Sequence, residues 1–295
     1  MRMPAPLHFL SSAIGLLTTV LIAFGCVGSP RDVSLSATVP EVDQSREARI
    51  LSAFFGLDNS LPQRARALYV KAPGKDGMPL VFSLELDPAT LDAGDFEVTT
   101  QDGSTYGVEA VTLLPAEETF ELRTVLLIGE YGNHPDNPPV SVEIVADLMS
   151  RTGANFKGQS AEVIPLPEGP TLSYAEYFTL ADDYPYLAEG PGCDCPRAAT
   201  KMVVKAVWSG GVRALNGEEL GSNELDDFQV SLVRGADTIT VNPFQLADLG
   251  DNDNNIDLCL KEEGTPILVR VVAPIAIDPN DDKNPSTEVV VRSRW

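Results

Sequence analysis

From Met78 to Thr100 apolar side chains recur at every second position, stop at a proline, and then resume. Leu80, Phe82, Leu84 and Leu86 share one parity, while Val81, Ser83 and Glu85 share the other. A period of two is the signature of a β-strand with one buried face. Pro79 stands at the strand's start, where a missing N–H is tolerated. Asp87-Pro88 ends the run, because proline can neither donate to a ladder nor leave its fixed φ. Phe96 and Val98 then alternate with Asp95, Glu97 and Thr99, so a second strand begins. Strand, acidic proline turn and strand make one corner of a β-sandwich. The same grammar predicts further strands at residues 50–57, 67–70, 120–128 and 140–144, with Gln101-Asp102-Gly103 as a hairpin turn. No long segment repeats apolar residues at helical spacing, so the fold class is all-β.

Phe82-Ser83, Leu86-Asp87-Pro88-Ala89-Thr90-Leu91 and Asp95-Phe96-Glu97-Val98 resemble the opening strands of bacterial Ig-like domains, modules strung along secreted and surface proteins. The closing strand of such modules is similar to Val142-Glu143-Ile144-Val145-Ala146-Asp147 followed by Thr152-Gly153-Ala154-Asn155, although Ala154 splits the usual Gly-Asn pair. The likeness covers roughly the first half of the mature chain. It implies a fold and no catalytic residue, since a shared fold does not fix a function.

The second half echoes the first. Asp227-Phe228-Gln229-Val230 echoes Asp95-Phe96-Glu97-Val98, Ile256-Asp257-Leu258 echoes Phe120-Glu121-Leu122, and Asn284-Pro285 before Val289 echoes Asn137-Pro138 before Val140. Echoes in conserved order indicate a diverged tandem repeat. The resulting map is a signal peptide at 1–26, a polar tether at 27–47, an Ig-like β-sandwich at 48–165, a partly ordered connector at 166–198 and a second β-sandwich at 199–295.

The first residues carry an address. Residues 13–24 are almost wholly apolar, too short for a comfortable membrane span, and end in Gly25-Cys26. A small residue before cysteine fits a lipoprotein signal, with Cys26 as the lipidated residue; the alternative is an ordinary cleaved signal. Either reading exports the chain to the cell envelope, and the first leaves it membrane-anchored through lipid alone. Lys and Arg total 21 against 43 Asp and Glu, a net charge of -22. That balance repels phosphate and anionic headgroups, which excludes nucleic acid and peripheral binding to acidic lipid.

Catalytic signals are thin. His134, in the turn-rich Gly132-Asn133-His134-Pro135-Asp136, has no Gly-x-Ser-x-Gly elbow beside it and reads as a surface loop residue. Export permits disulfides. Alternation places Cys259 with Asp257 and Lys261, away from Ile256, Leu258 and Leu260, so Cys259 is expected to pair with Cys195 or Cys193. A direct Cys193–Cys195 link is the alternative. Asp251, Asp253, Asn255 and Asp257 fall at alternate positions, and Asp278, Asn280 and Asp282 form a second oxygen-rich loop. Such oxygens suit calcium, although Ile256 stands where an EF-hand needs glycine. The competing reading is ordinary Asx turn chemistry.

The function these features predict is a binding or spacer module of the cell envelope, with an unknown protein or carbohydrate ligand. The rivals are a carbohydrate hydrolase using paired carboxylates and a purely structural stalk. A concave aromatic patch, for example Tyr174, Tyr177 and Tyr184, would favour binding, and a carboxylate-lined cleft would favour the enzyme.

Overall fold

A computed structural model describes residues 47–118, 120–180, 194–247, 250–272 and 274–294. Cys26, the tether up to residue 46, Cys193, Tyr184 and Trp295 lie outside these residues. In the first half the alternating segments form β1 (Ile50–Phe54), β2 (Asp76–Phe82), β3 (Phe96–Thr100), β4 (Thr105–Gly107), β5 (Ala110–Thr112), β6 (Thr124–Gly129), β7 (Pro139–Ile144) and β8 (Ser160–Ile164). Hydrogen bonding orders them β4-β3-β7-β8-β1-β2-β6-β5. Only β1 and β8 pair in parallel. One core holds Phe96, Val98, Val142 and Ile144 from the β3–β7 side together with Met78, Leu80, Phe82, Val125 and Leu127 from the β2–β6 side. The strand ribbon therefore closes over itself into two facing layers, β1-β2-β6-β5 against β4-β3-β7-β8. With strands lettered in chain order this is A-B-E-D against C′-C-F-G, the strand order of immunoglobulin-type sandwiches.

The second half repeats this arrangement with β9 (Leu172–Phe178), β10 (Met202–Trp208), β12 (Phe228–Arg234), β13 (Asp237–Val241), β14 (Gln245–Ala247), β15 (Asn255–Leu260), β16 (Thr265–Val271) and β18 (Thr287–Ser293). Their order is β13-β12-β16-β18-β9-β10-β15-β14, and a small extra ribbon pairs β11 (Arg213–Ala214) with β17 (Ala276–Ile277). The registers correspond strand for strand. Ala53 faces Leu80 and Val163, as Ala175 faces Ala206 and Val291. Leu80 faces Val125 as Ala206 faces Ile256. Phe96 faces Ile144 as Phe228 faces Val271. Trp208, wholly buried, occupies the position of Phe82.

Several expectations need correction. Leu172–Phe178, assigned to the connector, is β9, the first strand of the second sandwich. Tyr174, Tyr177 and Phe178 are strand residues of it. Residues 67–70 are not a strand: Gln63–Ala67 is a 3-10 helix, and Leu61, Ala65, Leu68 and Ala72 pack on Ile128 at helical spacing. Val140 stays 41% exposed, because the β3–β7 ladder shifts register at Thr100. The repeat is real, yet only the Phe96/Phe228 echo is in register. Ile256-Asp257-Leu258 corresponds to Val125-Leu126-Leu127, while Phe120, Glu121 and Leu122 lie in the turn before β6. Asn137-Pro138 leads into β7, whereas Asn284-Pro285 leads into β18.

Candidate functional site at the seam between the sandwiches

The described residues form one compact unit, and the two sandwiches meet through one sheet of each. Val81 and Val207, which hold the same register position in β2 and β10, pack together with Tyr174 and Leu51. Asn254 Nδ2 donates to Thr124 Oγ1 at 3.1 Å and to the Trp208 carbonyl at 2.7 Å, and Asn280 Nδ2 donates to the Gly56 carbonyl at 2.6 Å. This contact explains the main surprise of β15. Its face opposite the core, which carries Asn255, Asp257 and Cys259, was expected to be outward; all three are buried, and only Lys261 beyond the strand is exposed. The face leaves its own core and enters the seam.

Charges line that seam. In β9 and β10, Glu176 and Lys205 sit opposite one another in register, and Asp257 faces Lys205 from β15. Arg123 Nη2 lies 3.2 Å from Glu176 Oε2, the Tyr174 hydroxyl donates to the same oxygen at 3.0 Å, and Arg294 pairs with Glu176 Oε1. Arg294 also reaches Glu85 at 3.0 Å, and its guanidinium stacks 3.4 Å from the Phe120 ring centroid. Arg123 stacks 4.0 Å over Tyr174 and donates to the Ser83 carbonyl at 3.2 Å. Burial opposes ionisation of Glu176, but Arg294 and Arg123 outweigh it and hold its pKa at about 2. Buried arginine–carboxylate pairs satisfied on several sides are the form in which charge survives inside a protein.

The second cluster is built on Lys205. Its Nζ lies 2.9 Å from Glu121 Oε1 and 3.3 Å from Asp257 Oδ1, with all three side chains fully out of solvent. Glu121 Oε2 accepts the backbone N–H of Glu118 at 3.1 Å. Carboxylate oxygens of Glu121, Asp251 and Asp253 lie within 4.8 Å of one another. Burial, then the like charge of Asp251, push Asp253 up to about 7, although Asn255 donates to both of its oxygens at 2.7 and 2.6 Å.

The residues expected to hold calcium therefore divide three ways. Asp251 and Asp253 meet Glu121, a residue the sequence did not offer as a ligand. Asp257 and Asn255 stand on the seam face of β15, with Asp257 on Lys205. Asp278 caps a separate turn, accepting the backbone N–H of Asn280 and of Asp282 at 2.9 Å each. The disulfide is Cys195–Cys259, with Cα atoms 5.6 Å apart, beside Phe120, Phe178 and Val203. Tyr174 and Tyr177 form no shared patch: they lie on opposite faces of β9, Tyr174 in the seam and Tyr177 against its own core. His134 is an exposed loop residue whose backbone N–H donates to Asp58 Oδ2 at 2.9 Å.

At one end of the seam a cleft of about 160 Å³ opens, walled by Phe54, Pro79, Leu114, Leu126 and Pro279, with Asp253 at its margin. Gly210 completes its floor, since a Cβ there would meet Phe54 and Pro79 at 3.1 Å. Among the described residues no helix is long and apolar enough to cross a membrane.

No protein-family model matches this chain, and no curated protein matches it. Among solved structures, the N-terminal part of the bacterial S-layer protein SbsC is similar at 11% identity, over 83% of this chain and 44% of that chain, with a TM-score of 0.29. The chain thus spans less than half of that neighbour, and a likeness this slight carries no argument about function.

Proposed function

We propose that the chain is an exported, lipid-anchored module of the cell envelope in which two sandwiches act as one rigid spacer that presents a binding surface. The observation that carries this reading is the seam. Ion pairs between the halves, Arg123 with Glu176 and Lys205 with Glu121 wholly buried and Arg294 with a partly buried Glu85, fix their mutual orientation where independent modules would keep a mobile hinge. The Cys195–Cys259 bond supports an oxidising compartment, in keeping with export. A hydrolase would need its carboxylates open to substrate and water; Glu121, Glu176 and Asp257 are instead enclosed and paired with cations.

The test expresses the chain with its leader in a bacterium and follows two readouts. Wild type should sediment with membranes and Cys26→Ser should appear in the soluble fraction; equal partition refutes the anchor. Spin labels placed on exposed Val140 and Val290, one in each sandwich, should give a single narrow distance distribution, and a broad one refutes the rigid spacer.

A further inference from the structure

Both sandwiches build the cleft at the end of the seam. The first contributes Phe54 of β1, Pro79 of β2 and Leu126 of β6; the second contributes Gly210, Asp253 and Pro279. Strand alternation sends Ala53 and Phe55 into their own core and turns Phe54, wholly buried, the other way. Pro79 pairs in register with Leu126 inside β2, where strands ordinarily reject proline because it cannot donate to the ladder. Gly210 leaves the space free, since a Cβ there would come within 3.1 Å of Phe54 and Pro79. The volume is about 160 Å³. A dry apolar cavity of about 150 Å³ holds one benzene molecule. An apolar hollow with a few placed polar groups is the usual form of a small-molecule site.

The polar groups of the cleft lie on the side of the second sandwich, and they accept. Asp253 is the one charged residue among the described residues that line it. Asn255 fixes the Asp253 carboxyl, donating its backbone N–H to Oδ1 at 2.7 Å and its Nδ2 to Oδ2 at 2.6 Å. A carboxylate keeps a further lone pair on each oxygen. Gly211 also lines the cleft, and a Cβ there would meet the carbonyl oxygens of Asn252 and Asp253 at 3.5 and 3.8 Å. The Asn254 amide spends its N–H groups on the Trp208 carbonyl and Thr124 Oγ1. Asp251 adds like charge beside Asp253, and the chain as a whole carries -22, so the rim attracts cations and repels anions. An ammonium, with three donors and no acceptor, suits such a rim. We infer that the cleft binds a small primary amine bearing one apolar ring, the ring between Phe54, Pro79 and Leu126 and the ammonium on the Asp253 carboxylate. This goes beyond the spacer reading: a chain that is anchored and rigid but does not take the amine leaves the spacer intact and overturns the site.

The experiment titrates the purified full chain with three probes: benzylamine, benzyl alcohol, which keeps the ring and lacks the charge, and methylammonium, which keeps the charge and lacks the ring. The titrations run at about pH 8, where Asp253 is ionised and an alkylamine, like lysine, is charged. Calorimetry gives the affinity, and methyl NMR of Leu114 and Leu126, both in the cleft wall, gives the place. Benzylamine should bind at one site with a Kd on the order of a millimolar or below and move both sets of methyl resonances. The other two probes should each bind about tenfold more weakly or worse. Asp253→Asn should weaken benzylamine by about tenfold or more and leave benzyl alcohol unchanged. Gly210→Val, which fills the floor, should block benzylamine. Leucine methyls that stay in place under saturating benzylamine overturn the site. Methylammonium binding as tightly as benzylamine overturns it too, since surface charge alone would then explain the binding. Benzyl alcohol binding as tightly overturns the assignment of the amine to Asp253. The wild-type titrations decide all three points even if a variant fails to fold.

Discussion

Asp253 gives the molecule a specific acid-side stabilisation. Burial and Asp251 raise its pKa from 3.8 to about 7 in the folded state, so the folded chain holds a proton that the unfolded chain has released. Stability rises with pH only where the unfolded state binds more protons; here the folded state binds more. The contribution is therefore complete below pH 3.8 and is lost as pH rises towards about 7. An interval of roughly three pH units at about 1.4 kcal/mol each makes about 4 kcal/mol in all. About 3 kcal/mol of it falls between about pH 5 and about pH 8.5. General relief of self-repulsion also stabilises so acidic a chain on acidification, so the assay must isolate one residue. Asp253→Asn does so: its amide cannot ionise, and the hydrogen bond it forfeits to Asn255 costs the same at every pH. Urea unfolding of both proteins across this range should show the variant gaining on wild type by about 3 kcal/mol from the acidic to the alkaline end. A stability difference that stays constant with pH would refute the assignment of this titration to Asp253.

Glu176 acts in the opposite direction: held at about 2, it stabilises above its ordinary 4.5 and loses that contribution as pH falls towards 2. Glu176→Gln leaves Arg123 and Arg294 facing a neutral amide inside the seam, and thermal unfolding at neutral pH should show a loss of about 3–5 kcal/mol. Reduction of Cys195–Cys259 opens a closure of 64 residues and should cost about 2–4 kcal/mol, read by urea unfolding with and without reductant. The calcium expectation has its own readout: binding at Glu121, Asp251 and Asp253 would raise the melting temperature at alkaline pH and chelator would reverse it, whereas coincident curves leave Lys205 as the cation of that cluster.

The fold was legible where one face meets a core and the other meets water. Leu80, Phe82, Phe96, Val98, Val142 and Ile144 alternate for that reason, and each is buried where the period places it. The disulfide was legible for a related reason: parity alone turned Cys259 from its own core. What parity cannot say is what lies on the other side. Asp257 and Cys259 read as solvent-facing because a single strand carries no record of a second domain pressed against it. Lys205 in Lys201-Met202-Val203-Val204-Lys205-Ala206-Val207-Trp208, and Glu176 in Ser173-Tyr174-Ala175-Glu176-Tyr177-Phe178, did hold a signal. Each is a lone charge inside an otherwise apolar or aromatic strand, a pattern that calls for a buried partner of opposite sign.

The partners lie far off in sequence, and the repeat shows how they arose on equivalent ground. By register, Phe54, Pro79 and Leu126 of the first sandwich hold the positions that Glu176, Lys205 and Asp257 hold in the second. The same sheet face meets the seam in both halves, apolar in one and charged in the other. The apolar trio walls the cleft, while the charged trio is neutralised by residues that belong to no strand of its own layer: Glu121 and Arg123 from the turn before β6, and Arg294 from the chain beyond β18. Two apolar faces would bind each other in many registers at similar energy. A buried charge left without its partner costs several kcal/mol, so the charged face accepts the one docking that brings Glu121, Arg123 and Glu85 to their places.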